Sequence, residues 1–417
     1  RPPTTDLAAF DLYNRAREIW RSLTTSTGSG GSEKFKAMIG LLDQAVSRDP
    51  MFVAALCELA RAHLYLHWQG VDPAASHLAL ARKALETAER LQPGAGEVHL
   101  ARGLYYYQGS RDYPAALGEL VLAERSLPND AVVRFTIALV ERRQGRWADS
   151  TRHIEEALRW DPRNIQFISE LAGTNYYVLR RYAEAVKMID NALTWNSGDF
   201  GLAFLGATLE TAWKADLHRW TQVVDGETAR NADPNDLATA RLRLALKQRD
   251  YQTAKQILGA PAGSEFDDDG YFTPRELSRA IVARGLGESE QARKEFEAAR
   301  VRAAAAVTER PEDARAWIAL AEIDAGLKRK DEAIREGEKA TSLLPIEKDV
   351  LNGNQLRVKL TQIYAQVGEP DRALELLSKV ISQPDGSNYG SLMLDEAWDP
   401  LRGDPRFEKI VQSLAPK

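Results

Sequence analysis

The sequence predicts an all-α fold, an α-solenoid of about ten stacked helix-turn-helix units. Three observations predict it. An alanine stands five residues before a proline at Ala45–Pro50, Ala88–Pro93, Ala123–Pro128, Ala157–Pro162, Ala229–Pro234 and Ala340–Pro345. These prolines are spaced by a nearly constant interval: 43 residues, then 35, then 34, then 72 and 111, the last two matching two and three units. Between successive prolines the apolar residues recur twice at helical spacing, on either side of a turn signal.

Residues 131–162 show how one unit is built. Phe135, Ile137, Ala138 and Leu139 mark the apolar stripe of a first helix, which breaks at Gly145. Trp147, Ser150, Ile154 and Ala157 follow at intervals of three or four and mark a second helix that stops before Pro162. The same skeleton reads Tyr113, Ala116, Leu120, Ala123 in the unit before and Tyr182, Ala185, Ile189, Ala192 in the unit after, with Phe35, Met38, Leu42, Ala45 near the start. Small residues after the aromatic let two helices approach closely, and the aromatic fills the space at the turn. Proline ends the second helix because it cannot donate to the ladder and disfavours helix in the residue before it. The tails PND (128–130), PRN (162–164), PND (234–236) and PED (311–313) then offer side-chain oxygens to cap the next helix.

Taken in order, the units span 6–50, 51–93, 94–128, 129–162, 163–197, 198–234, 235–260, 274–311, 312–345 and 352–384. The expected organisation is an N-terminal array over 1–260 of about seven units, with inserts at 24–32 and 67–76. An interrupting loop over 261–273, further units over 274–384 and a closing segment over 385–417 follow. The insert TTSTGSGGS is a flexible linker, since no Lys-Ser/Thr follows it in phosphate-loop spacing. The run 295–310 lengthens one helix by roughly two turns.

This pattern resembles the tetratricopeptide repeat, whose first helix carries an aromatic and then Leu-Gly or Leu-Ala. Here those positions read Trp317, Leu320 and Ala321, with Leu59–Ala60, Ile137–Ala138, Leu171–Ala172 and Leu205–Gly206 elsewhere. The resemblance implies a right-handed superhelix whose first helices line a concave face. In that phase the candidate partner-binding residues are Arg61, Tyr65, His99, Tyr106, Tyr107, Phe135, Arg142, Arg143, Tyr176, Tyr177 and Phe204. Aromatics with interspersed arginines offer rigid contact area and directional donors, the usual chemistry of interaction hot spots. The carboxylate clamp of chaperone-binding members is not reproduced: Cys57, Glu58 and Arg61, and His99, Leu100 and Gly103, stand where Lys and Asn are needed. The borders PTTDLAAFDLYNRAREI and LDEAWDPLRGDPRFEKIVQSL are similar to those of tetratricopeptide regions at the C-terminus of bacterial multidomain signalling proteins. Upstream such chains carry a TolB-like segment with a CadC-type winged helix, an adenylate cyclase or a Ser/Thr kinase.

The composition excludes several function classes. Net charge is −5 with both signs interspersed, which argues against the dominant basic face that nucleic acid requires. A single cysteine, Cys57, excludes an intrachain disulfide and a multi-cysteine zinc site. His63 and His67 share a helix face but lack the Glu of a zinc hydrolase, so a packing role is expected. The FDDDG run at 266–270 fails as an EF-hand because Tyr271 stands where an oxygen ligand is needed. With no G-x-S-x-G elbow, kinase loop or dinucleotide fingerprint, neither an enzyme nor a cofactor is expected. No apolar run is long enough to span a bilayer. The start RPPTTDLAAF lacks Met and an apolar signal core, so no targeting segment is expected at this start. Lack of disulfides slightly favours the cytoplasm, and an upstream span would instead indicate the periplasm. The leading expectation is a non-catalytic protein- or peptide-binding scaffold, the regulatory module of a larger bacterial signalling or transcription-regulating protein. Upstream domains of its own chain are among the candidate partners. A metabolite- or sugar-sensing helical-repeat domain and a structural or oligomerisation spacer are the alternatives.

Overall fold

The computed structural model describes residues 3–23, 31–69, 76–226, 228–259 and 274–416, and every regular element among them is a helix. The two inserts and the interruption expected at 261–273, with the acidic run inside it, lie wholly or largely outside the described residues. The chain compacts into two units, Arg1–Leu171 and Ala172–Lys417. Each is a stack of helical hairpins, and the chain is an all-α repeat solenoid.

Unit 1 contains α1 (Leu7–Leu23), α2 (Gly31–Arg48), α3 (Val53–Gln69), α4 (Ser76–Leu91), α5 (Gly96–Leu104), α6 (Tyr113–Ser126), α7 (Ala131–Arg143), α8 (Trp147–Trp160) and α9 (Ile165–Glu170). Chain neighbours pair as α1 with α2, α3 with α4, α5 with α6 and α7 with α8, and α3 also packs on α5. The predicted skeleton is the core: Tyr113, Ala116, Leu120 and Ala123, like Trp147, Ser150, Ile154 and Ala157, are all buried. Small residues do bring backbones together, since the Ser150 hydroxyl donates to the Ala138 carbonyl at 2.8 Å. Asp130 caps α7 by accepting from the N–H groups of Val132 and Val133, and Asn164 caps α9 through Phe167. Removing such a cap costs about 1 kcal/mol.

Unit 2 continues with α10 (Tyr182–Trp195), α11 (Phe200–Lys214), α12 (His218–Asp225), α13 (Pro234–Lys247), α14 (Tyr251–Gly259), α15 (Arg275–Gly285), α16 (Ser289–Glu309), α17 (Ala314–Gly326), α18 (Lys330–Leu343), α19 (Val350–Gln366) and α20 (Pro370–Val380). Asp313 caps α17 as its tail predicts. Pro234 departs from expectation. It opens α13 instead of closing a helix, and Asp233 rather than Asn235 or Asp236 supplies the cap. Proline is tolerated there because a first-turn N–H has no intrahelical acceptor. The core does not break at the interruption, since Leu258 of α14 and Val282 of α15 share one apolar cluster.

Among the described residues, a residue in the left-handed region sets seven hairpin turns two positions before the second helix: Arg111, Gly145, Arg180, Arg249, Gly287, Lys328 and Gly368. The N–H just beyond it reaches back across the helix end, as in Arg146 to Glu141 (3.0 Å) and Asp250 to Ala245 (2.8 Å), closing the first helix. The closing segment forms α21 (Tyr389–Leu394), a 3₁₀ stretch Glu396–Leu401 and α22 (Pro405–Leu414). Trp398, Leu401 and Phe407 are buried against Leu360, Ala373 and Leu377, which covers the apolar end of the last hairpin.

Candidate protein-binding face

The first helices of unit 1 carry most of the candidate side chains. At the end of α1, Trp20 packs edge-on against Phe35 (5.7 Å) and Tyr65 (5.8 Å), and Tyr65 stacks on Phe35 at 4.3 Å. The Arg61 guanidinium lies 4.2 Å from the Trp20 ring centre and bonds Glu58 at 3.2 Å. Such a cation–π contact is worth about 0.5–1 kcal/mol near the surface and holds the guanidinium in one orientation. On α5, His99 Nδ1 lies 2.8 Å from Glu119, which also binds Arg102 at 3.2 Å, and Arg102 bonds Glu89 at 3.0 Å. Half-buried Tyr106 stands beside Arg102 and packs edge-on to Tyr105. Arg61, Tyr65, His99 and Tyr106 thus form a partly exposed row of aromatic and cationic groups with fixed geometry.

The other candidates are committed within the array. Tyr107 is buried between Trp68 (5.1 Å) and Arg143, whose Nε donates to its hydroxyl at 3.3 Å. Phe135 is buried and stacks on Phe167 at 4.4 Å, and buried Arg142 bonds Glu170 at 2.7 Å. In unit 2, buried Tyr176 lies under Arg181 at 4.1 Å, and half-buried Phe204 packs on Phe200 and Trp220. The Tyr177 hydroxyl accepts from Asn388 at 2.7 Å. A first helix has second helices and neighbouring first helices around it, so most of its circumference is packing surface.

Two features escaped the sequence reading. The helices beginning with α5 and α9 contain π-helical turns, Tyr105–Ser110 and Leu171–Tyr176, which carry Tyr105, Tyr106, Tyr107 and Tyr176. A π-turn absorbs one inserted residue and concentrates at functional sites. Its signal was present: the unit ending at Pro128 measures 35 residues where the next measures 34. His63 bonds His77 rather than sharing a ligand with His67, Nδ1 to Nδ1 at 2.8 Å. Burial, then the neighbouring His77, lowers its pKa to about 4. Cys57 is buried, and burial pushes its thiol up. Among the described residues, no group of three or more His, Cys, Asp or Glu could hold a metal ion.

Residues 277–345 match the tetratricopeptide repeat family. That match covers α15 to α18, and the same hairpin geometry repeats on either side of it. Comparison with curated proteins finds none that matches. Among solved structures, the chain is similar to a thermophilic tetratricopeptide repeat protein of Thermus thermophilus at 21% identity, TM-score 0.39, covering 48% of this chain and 98% of that one. A tetratricopeptide repeat protein of Parabacteroides merdae matches at 16% identity, TM-score 0.31, over 73% and 98%. PilF of Pseudomonas aeruginosa matches at 18% identity, TM-score 0.30, over 59% and 90%. Tetratricopeptide repeats bind proteins or peptides and serve as scaffolds. No helix among the described residues is long and apolar enough to cross a membrane.

Proposed function

We propose that this chain is a non-catalytic protein- or peptide-binding scaffold that engages its partner through the inward helices of unit 1. It serves as the regulatory interaction module of a larger bacterial signalling protein. The observation that carries the reading is the row Arg61, Tyr65, His99 and Tyr106, held by Trp20, Phe35, Glu58 and Glu119 without being sealed off from solvent. A surface already fixed in its binding geometry loses little conformational freedom when a partner docks, which favours recognition by a rigid repeat array. The remaining candidates, Tyr107, Phe135, Arg142, Arg143, Tyr176, Tyr177 and Phe204, act in this reading as the frame behind that row.

The test is affinity capture from cells of the source organism with immobilised wild type and with the double variant Arg61→Ala/Tyr65→Ala. The expected outcome is at least one protein retained by wild type and lost from the variant, with both chains melting as folded proteins. Equal capture by the two would remove the face from consideration.

A further inference from the structure

In a repeat array each hairpin touches only its neighbours, and unit 2 departs from that rule. Residues 381–402 run along the turns of four earlier hairpins. At the turn before α10, Arg180 Nη2 donates to the carbonyl oxygens of Ile381 (2.8 Å) and Ser387 (3.3 Å). The Asp385 N–H donates to the Val178 carbonyl, and Asn388 Nδ2 donates to Tyr177. At the end of α11, Gly390 lies so close that a Cβ there would stand 2.0 Å from the Thr211 carbonyl oxygen. At the next two turns acid meets base. Lys247 holds Asp395 at 2.6 Å, Arg249 forks onto Asp399 at 2.8 and 2.9 Å, and Arg284 holds Glu396 at 2.7 Å. The Tyr251 hydroxyl donates to the other Glu396 oxygen at 2.8 Å.

The two sides of this segment are held by different forces. Leu392, Trp398 and Leu401 belong to the core built with α19, α20 and α22, an apolar contact that salt does not weaken. From Asp395 to Asp399 the opposite side meets the turns through ion pairs between partly exposed groups, whereas Asp385, Asn388 and Gly390 are buried where they meet Val178, Tyr177 and Thr211. Such pairs contribute little individually and are screened by salt. Residues 395–399 therefore part from the turns before they part from the last hairpin.

We infer that the turn edge formed by Arg180, Lys247, Arg249, Tyr251 and Arg284 is a docking surface for an acidic segment folded as turns and a short 3₁₀ helix, and that the closing segment occupies it in cis. Arg180 reads main-chain carbonyls, while Lys247, Arg249 and Arg284 read carboxylates spaced as in Asp395, Glu396 and Asp399. The partner it fits is a protein carrying a short helical run with that carboxylate spacing. The tethered segment competes at a high effective concentration, so a partner in trans binds weakly until the cis carboxylates are neutralised or displaced. The inference deepens the scaffold reading, on which it rests, but uses a surface separate from the row in unit 1.

The experiment titrates a fluorescent peptide of residues 383–402 into the full chain and reads anisotropy. Three proteins are compared: wild type, the triple variant Asp395→Asn/Glu396→Gln/Asp399→Asn, and that variant with Arg249→Ala and Arg284→Ala added. The triple variant should bind at least about tenfold tighter than wild type, and the added substitutions should abolish the gain. A folded triple variant that binds no tighter than wild type, or a gain that survives Arg249→Ala and Arg284→Ala, overturns the inference. If the triple variant does not fold, hydrogen exchange on wild type decides. Rising salt should speed exchange at 396–402 while α20 and α22 stay protected, and unchanged exchange at 396–402 overturns the inference. Capture lost on Arg61→Ala/Tyr65→Ala alongside a negative peptide result removes this surface and leaves the unit 1 reading in place.

Discussion

Replacing Trp147 with Ala removes the aromatic that opens α8 and fills the turn after α7. The side chain is 7% exposed, and its indole N–H has no hydrogen-bond partner among the described residues, so the loss is taken as one of apolar contact. Burying a tryptophan removes about 200 Å² from water, which at about 25 cal/mol per Å² gives about 5 kcal/mol as an upper figure. Large-to-small substitutions of buried aromatics cost about 3–5 kcal/mol, so about 4 kcal/mol is expected. For a unit the size of Arg1–Leu171 that corresponds to a fall in Tm of about 8–16 °C. Calorimetry and urea unfolding followed by circular dichroism provide the assay, with Tyr182→Ala as the counterpart in unit 2. Trp147→Ala should lower the unit 1 transition and spare the other, and Tyr182→Ala should do the reverse. A melting profile unaltered in both variants would refute the assignment of these aromatics to the core. Equal shifts of a single transition would refute the division of cooperativity near Leu171.

Further predictions concern pH and the seam. His63, whose pKa burial and His77 hold near 4 in the folded chain, binds its proton more readily when unfolded. Stability of unit 1 is therefore full above about pH 6.5 and falls as pH drops toward 4, and His63→Phe should flatten that slope in urea titrations. Glu336 behaves oppositely. Burial, then the charge of Asp324, raises its pKa to about 7, and Arg300 holds Asp324 at 2.7 Å. Stability of unit 2 should decline as pH rises from about 4.5 through 7, and Glu336→Gln should remove that decline. Gly390→Ala places a methyl group against the Thr211 carbonyl, so proteolysis within 383–391 should accelerate in the variant, while an unchanged cleavage pattern would contradict the close approach.

Much of this fold is legible from residue type and spacing. The aromatic, small and apolar positions of each second helix, and caps such as Asp130 and Asn164, follow from local chemistry acting over three to five residues. The turns are only partly legible. Gly145, Gly287 and Gly368 announce a left-handed residue, but Arg111, Arg180, Arg249 and Lys328 occupy the same position and announce nothing. Their conformation is imposed by the hairpin, at about 1 kcal/mol each relative to glycine. The candidate site divides along the same line. Phase alone selects Tyr65 and Tyr106 together with Phe135 and Arg142, because it gives the direction of a side chain and not the neighbour waiting there. Trp20, which orders the exposed row, comes from a different hairpin than Arg61 and Tyr65. The contact of Tyr177 with Asn388 joins residues 211 apart in sequence and leaves no local signal.

The proposed recognising surface is formed by the inward helices of unit 1. Site-specific photo-crosslinking in cells tests it most directly, with a photoreactive residue replacing Tyr65, Tyr106 or Val121, the last on α6 and 40% exposed. Discrete crosslinked partners should form from positions 65 and 106 and be absent from 121. Crosslinks from 121 alone, or from none of the three, would contradict it.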